Sequence, residues 1–143
     1  MIRIGWSIAI AGALLAMPSP SRACRVYLAP AQRLAMGYDS GAISAVALVR
    51  ITGAGYTGVR RGDAHPWRAS ATVRRLLRGS HTATSVGFER GWGSAACDDG
   101  RPPPKAGEVW VIYFWKRPDG EQAVWLTYPA SVAFEADPRL RRR

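Results

Sequence analysis

The sequence predicts an all-β fold, a barrel or a sandwich, on three observations. The segment Val109–Trp115 is apolar on both faces, as expected of a strand that is buried on both sides. The segment Trp67–Gly79 alternates apolar and polar residues, which is the period of a half-buried strand. Strands and helices do not alternate along the chain, which argues against a parallel βαβ sheet. We therefore expect about five strands and one short helix in a single domain.

The predicted domain opens with a short helix and a long strand. Proline at a first helical turn and glycine just past the last turn predict a helix over Pro30–Met36, closed by Gly37. The β-branched run Ala42–Ile51 predicts a strand that stops at Gly53–Gly55. Gly58–Pro66 is polar and contains glycine, so we expect a loop there.

The second predicted strand needs an irregularity. From Trp67 to Arg74 the positions alternate between core and solvent, but the same count would bury Arg75. A bulge near Arg74–Arg75, or a position at the rim of the sheet, avoids this. Thr82–Phe88 is a weaker strand, and Glu89–Gly107 is a long glycine- and proline-bearing loop.

The strongest predicted strand, Val109–Trp115, requires a cover on each face. One face lies inside the barrel. The other is covered by the helix near Leu34, by the tail around Phe134, or by a partner. The turn Arg117–Glu121 contains proline and glycine at turn positions, and it joins this strand to its hairpin partner Ala123–Tyr128.

Residues 1–23 are typical of an export signal. Arg3 is followed by the apolar run Trp6–Met17, which is too short to span a membrane, and by a small-residue exit before Cys24. Cleavage leaves about 120 residues, the size of one domain. We assign residues 24–136 to this domain and residues 137–143 to a basic tail, in a protein of the periplasm or the extracellular space without a transmembrane helix. Lipid anchoring at Cys24 is an alternative, although only Ala23 fits a lipoprotein signal.

The chain contains two cysteines, Cys24 and Cys97. In an oxidising compartment an even number of cysteines predicts a disulfide between them. The bond would close a loop of about 73 residues and stabilise the fold by about 4 kcal/mol.

The formal charge of +10 is carried almost entirely by arginine. Such a charge favours anionic partners, while a solvated basic surface without a ligand is the alternative. Export makes nucleic acid an improbable natural ligand and leaves anionic glycans or lipid headgroups. Trp67 and Trp92 are expected to lie in the core, and a role as stacking platforms is the alternative. The candidate anion-binding residues are Arg60, Arg61, Arg68, Arg74 and Arg78.

The sequence contains no recognisable catalytic set. His65 and His81 do not stand in a metal-ligand spacing with another histidine or cysteine. A Cys97 nucleophile would require a free thiol in an oxidising compartment. We therefore predict that the protein is not an enzyme and has neither a metal nor a cofactor.

The order of these features resembles the netrin-like, OB-type barrel domain of the tissue inhibitors of metalloproteinases and its small bacterial relatives. The features are the leading Cys24, the short helix, the strand Ala45–Ile51, the strand and turn Ala71–Gly79, Cys97 and the strand Gly107–Phe114. The resemblance spans residues 24–126 and implies a small OB-like barrel, closed or partly open, after the cleaved signal peptide.

In that family the α-amine and the carbonyl of the first cysteine clamp the zinc of a protease. The resemblance therefore implies an inhibitory edge at Cys24 and Arg25, anchored by Cys97. Two departures concern this edge, because Arg25 replaces a small residue and Val26 stands where the inhibitors carry a second cysteine. A purely structural disulfide is the alternative role of Cys24.

The sequence thus predicts an exported, non-catalytic binding module that contacts a protein or an anionic envelope component. The two alternatives are a metallopeptidase inhibitor acting through the Cys24 α-amine and a protein that binds anionic polymers or membrane surfaces. The oligomeric state and the identity of the ligand stay open.

Overall fold

A computed structural model describes residues 28–60, 64–92 and 100–141 of the chain. Five strands form one antiparallel sheet in the order β3-β2-β1-β4-β5, so the predicted all-β class is confirmed. The elements are α1 (Pro30–Asp39), β1 (Ile43–Tyr56), β2 (Trp67–Arg78), β3 (Ser85–Arg90), β4 (Val109–Lys116), β5 (Gln122–Pro129), α2 (Ala130–Ala136) and a 3₁₀ turn at Pro138–Leu140.

The sheet curls until its two edge strands, β3 and β5, face each other across a seam. Arg90 on β3 spans this seam and donates from Nη1 to the carbonyl of Thr127 on β5 at 3.2 Å. Within the described ranges, no backbone pairing joins the two edges. The fold is therefore a partly open, OB-like barrel, as expected from the sequence.

The inside of the curl is filled by one apolar cluster to which every strand contributes. Trp67, Phe88 and Trp110 come from three different strands, and their ring centroids lie 5.9 to 6.1 Å apart. Small residues of β1 and β2, such as Ala47 and Ala71, line the remaining wall. Large rings opposite small side chains fill a narrow barrel without voids.

A second apolar cluster covers the outer face of the sheet. The strand β4 serves both clusters, because Trp110 and Ile112 face inward while Val111 and Tyr113 face outward. Leu34 from α1 and residues of α2, such as Ala133, pack against the outer face. The helix and the tail therefore both supply the cover that the apolar β4 sequence requires.

The predicted bulge in β2 is present. Val49 pairs with Val73 and Leu48 pairs with Arg75, which leaves Arg74 without a register partner on β1. The bulge keeps Arg75 exposed, and Leu77 further along the strand packs in the outer cluster. One extra residue thus changes which face of the strand is apolar.

Two glycine assignments from the sequence are wrong. Gly37 does not end α1 but is buried inside it, where a Cβ would overlap the ring of Trp125. The left-handed residue after the helix is Gly41, at φ +70°. The strand β1 continues through Gly53 and Gly55, because these residues pair with Ser70 and Arg68 of β2.

The segment predicted as a basic tail begins with residues that pack on the barrel. Asp137 is fully buried and accepts hydrogen bonds from the Tyr38 hydroxyl at 2.8 Å, the Tyr113 hydroxyl at 3.3 Å and the Arg139 amide at 3.0 Å. These bonds tie the end of the chain to α1 and β4. No helix within the described ranges combines the length and the apolar character needed to cross a membrane.

Candidate ligand-binding groove

Four of the predicted site residues lie outside the described residues: Cys24, Arg25, Arg61 and Cys97. The disulfide and the inhibitory edge therefore stay predictions. The signal segment 1–23 also lies outside the described ranges.

The other predicted anion-binding residues do not converge on one place. Arg60 is exposed after β1, and Arg74 is exposed in the bulge. Arg68 and Arg78 occupy opposite ends of β2, roughly 30 Å apart along an extended strand. The guanidinium of Arg78 lies 5.2 Å from the ring centroid of Tyr38. Of these arginines only Arg68 lines a described hollow.

The seam between the edge strands opens into a hollow of about 500 Å³, here called the seam hollow. It runs between the two edges and reaches the helix α1. Its walls are formed by Arg33, by residues 87–92 and by residues 124–128.

A second hollow of about 560 Å³, here called the glycine hollow, lies on the outer side of β1 and β2. Its lining consists of residues 53–57, Val59, Arg68, Ser70, Glu89 and Trp92. Glu89 and Trp92 border both hollows. The two hollows therefore adjoin, and we call them together the aromatic groove.

Glu89 organises the junction between the hollows. Arg68 donates to its Oε1 from Nε at 2.8 Å and from Nη2 at 2.5 Å, and the Trp92 indole donates to its Oε2 at 3.0 Å. The contact follows from the register, because Arg68 on β2 pairs with Glu89 on β3. The hydrogen bonds from Arg68 and Trp92 hold the pKa of the Glu89 carboxyl below its ordinary value.

Glu89 is therefore expected to stay ionised, and to keep its hydrogen bond from the Trp92 indole, at pH values below the ordinary glutamate range. The pKa of Glu89 is lower in the folded protein than its ordinary value of 4.5. The hydrogen bond from Trp92 is therefore fully formed above pH 4.5 and is lost as the pH falls through the lower pKa of the folded state. The measurement is the difference in tryptophan fluorescence between the wild type and Trp92→Phe as a function of pH. A midpoint at or above pH 4.5 would contradict this assignment, and Glu89→Gln should give no such transition.

The two tryptophans considered as platforms have different roles. Trp67 is buried in the barrel, with 1% of its surface exposed, and its indole donates to the Arg101 carbonyl at 2.8 Å. It is a core residue, so the expected burial is confirmed for Trp67 and the platform alternative is wrong for it. Trp92 is 44% exposed, so it does not lie in the core and stays accessible as a platform.

Arg90 supplies a half-buried positive charge to the wall of the seam hollow. Its guanidinium lies 5.9 Å from the Trp67 ring centroid and 6.0 Å from that of Tyr128. Such stacking on aromatic faces is typical of arginine. The contacts fix the guanidinium beside the Thr127 carbonyl to which it donates.

A third hollow lies at the other end of the barrel and contains His81. The His81 ring stacks on Phe114 at 4.0 Å, and its Nδ1 lies 2.8 Å from the Gln122 Oε1. The Gln122 amide nitrogen donates to the Ser80 carbonyl at 2.9 Å, so its Oε1 accepts and His81 carries the proton on Nδ1. Within the described ranges, His81 joins no group of three or more possible metal ligands.

Sequence reasoning missed three contributors to the aromatic groove: Arg33, Tyr56 and Trp125. Tyr56 and Trp125 are 60% and 36% exposed and each lines one of the two hollows, and large exposed aromatic residues are a signal of binding surfaces. The signal exists only in space, because Arg33 lies on α1, Tyr56 at the end of β1 and Trp125 on β5.

In comparisons with known proteins, the chain matches no protein-family model, no curated protein and no solved structure. The function is therefore argued from the aromatic groove itself.

Proposed function

We propose that the protein is a non-catalytic binding module that holds an extended anionic polymer along the aromatic groove. The observation that carries the proposal is that two adjoining hollows share Glu89 and Trp92 as lining residues. Two adjoining open hollows suit a chain-like ligand better than a small molecule, for which an enclosed pocket is the usual site. The predicted export supports a ligand of the cell envelope.

The charges along the groove favour a negative ligand. Arg33, Arg68 and Arg90 contribute three positive charges, and Glu89 contributes one negative charge that is already paired with Arg68. Positive charge along a groove concentrates anions and accelerates their association. The overall charge, +10 for the full chain and +8 without Arg3 and Arg22 of the predicted export signal, acts in the same direction.

The aromatic side chains supply the second element of such a site. Tyr56, Trp92 and Trp125 are exposed along or beside the groove. Binding sites for polymer chains combine flat aromatic rings, which stack on successive units of the polymer, with cationic groups, which pair with the charges along the polymer backbone. OB-type barrels bind oligosaccharides and oligonucleotides, which supports the proposal by analogy with the fold alone.

The proposed function is tested with dextran sulfate as the anionic polymer and unmodified dextran as its uncharged counterpart. We expect dextran sulfate to bind and to quench tryptophan fluorescence, and dextran to do neither. The affinity should fall steeply as salt rises from about 0.1 M to about 1 M, since the Debye length shortens from about 10 Å to about 3 Å. A salt-independent affinity, or equal binding of both polymers, would overturn the proposal.

The location of the site is tested by replacing one arginine on the groove and one elsewhere. Arg33→Gln should weaken dextran sulfate binding by about tenfold, the loss of one charge-assisted hydrogen bond of about 1.5 kcal/mol. Arg117→Gln removes the same charge from an exposed turn residue that lines neither hollow. We expect this control to change the affinity by less than about twofold. Equal losses in both variants would show attraction to net charge without a defined groove.

A further inference from the structure

We propose that the glycine hollow is a subsite for a pyranose ring that carries a carboxylate, the unit of an acidic polysaccharide. This inference rests on the proposed function and names the chemical class of its ligand. The subsite consists of Trp92, Arg68, Glu89 and the strand segment 53–55.

Trp92 provides the surface on which the sugar ring stacks. Its indole N–H is held by Glu89 Oε2 at 3.0 Å, while 44% of the side chain stays exposed. A ring that is fixed before the ligand arrives loses little conformational entropy on binding. Glu89 is therefore a positioning residue for the platform.

Arg68 provides the contact for the ligand carboxylate. A guanidinium carries five N–H donors, and the two bonds to Glu89 use one on Nε and one on Nη2. The Arg68 side chain is 70% exposed. Three donors remain, one on Nη2 and two on Nη1, and one from each of these nitrogens together form a planar pair that matches a carboxylate.

The floor of the hollow leaves room for a ring. Gly53 and Gly55 pair with Ser70 and Arg68 of β2, so their missing side chains would lie on the face that carries Arg68. A Cβ built at either glycine meets no other atom within 4 Å. The space beside Arg68 is thus open because β1 carries glycine at these two positions.

The hydrogen-bonding groups favour a sugar over a nucleic acid. The Glu89 carboxylate borders both hollows, and Ser70 adds an exposed hydroxyl at the glycine hollow. Carboxylate oxygens accept hydrogen bonds from the several hydroxyl groups of a sugar ring, whereas the phosphates of a DNA backbone offer no donor.

The test uses short galacturonate oligomers and the same oligomers with methyl-esterified carboxylates, which keep the rings and remove the charge. We expect the acid form to bind at least tenfold more tightly than the ester. Trp92→Ala and Arg68→Gln should each lower the affinity for the acid form by at least tenfold, while Trp92→Phe should retain part of it. Arg75→Gln, an exposed arginine on the same strand that lines neither hollow, is the matched control and should bind as the wild type.

A second kind of variant separates loss of binding from loss of folding. It fills the glycine hollow without removing any contact that the folded protein makes. Gly55→Val adds a side chain where the structure has open space, and valine favours strands. We expect an unchanged unfolding midpoint and at least a tenfold loss of galacturonate binding. Normal binding by this variant would overturn the subsite.

The outcomes separate this inference from the proposed function. Binding of dextran sulfate without binding of galacturonate, or equal binding of acid and ester, would overturn the subsite and leave the proposed function standing. Failure of every anionic polymer to bind would overturn both. Tighter binding of oligothymidylate than of galacturonate would replace the sugar with a nucleic acid and overturn the inference.

Discussion

Gly79→Ala is expected to lower the free energy of unfolding by about 3 kcal/mol, since strain and overlap add. Gly79 has a φ of +68°, a conformation that costs an L-residue about 1 to 2 kcal/mol. A Cβ at this position would also overlap the Ser44 carbonyl oxygen and lie 2.9 Å from the Ala45 Cα. Both contacts are with the backbone of β1, which cannot move aside without breaking the start of the strand.

The matched control is Gly58→Ala. Gly58 has a similar φ of +79°, but a Cβ there would meet no atom within 4 Å. The substitution should therefore cost only the conformational strain, about 1 kcal/mol. Urea denaturation of both variants measures the difference. Equal losses would show that the close approach of Gly79 to β1 does not contribute to stability.

Asp137→Ala is expected to lower the free energy of unfolding by about 3 kcal/mol, because it leaves one buried and two part-buried donors without their acceptor. The carboxylate accepts from the hydroxyls of Tyr38 and Tyr113 and from the Arg139 amide. The ring of Tyr38 is further packed under Arg139, whose guanidinium lies 4.2 Å from the ring centroid. Loss of the carboxylate should release the 3₁₀ turn from the outer face of the barrel.

Asp39→Ala is the control, since Asp39 is exposed at the end of α1 and should change the stability by less than about 0.5 kcal/mol. A tyrosine titration by absorbance gives a second readout. Burial and the hydrogen bond to Asp137 raise the pKa of Tyr38, and burial and the nearby Asp137 charge raise the pKa of Tyr113. Their contribution to stability is complete below the ordinary value of 10.0 and is lost as the pH rises through the higher folded values. Ionisation of all five tyrosines near pH 10 in the folded protein would contradict this account.

The period of the apolar residues predicted the strands that hold the barrel together. The alternation in β2 separates the inward Trp67, Ala69 and Ala71 from the outward Arg68. The doubly apolar β4 predicted that both of its faces are covered, and both are. These patterns are informative because burial acts on every second side chain of a strand, whatever the strand pairs with.

The glycines of the sequence predicted the ends of elements poorly. Whether a glycine ends a helix or strand, or makes room for a side chain, depends on the residues that contact it in the fold. Gly37 was expected to end a helix, but it gives space to Trp125, which is distant in the sequence. Gly53 and Gly55 were expected to end β1, but pairing with β2 satisfies their backbone groups and extends the strand. In each case the deciding contact is with another element of the fold.

The candidate groove was predictable only in part. Arg68 and Trp92 were named as candidates from composition and spacing, although both Trp92 and Trp67 were expected to lie in the core and only Trp67 does. The bond between Arg68 and Glu89 depends on the register of β2 against β3. The register of a strand pair is a collective result of packing, so the partners cannot be inferred from either strand alone.

The sequence by itself determined the all-β class, the need for an irregularity near Arg74–Arg75 in β2 and the need for a cover over β4, because these follow from local alternation and from the cost of burying a charge. The tertiary structure alone decided which aromatic residues are exposed, which glycines make room and which arginine meets a carboxylate. Those properties depend on atoms that are far apart in the chain and become neighbours only when the sheet curls and its edges meet at the seam.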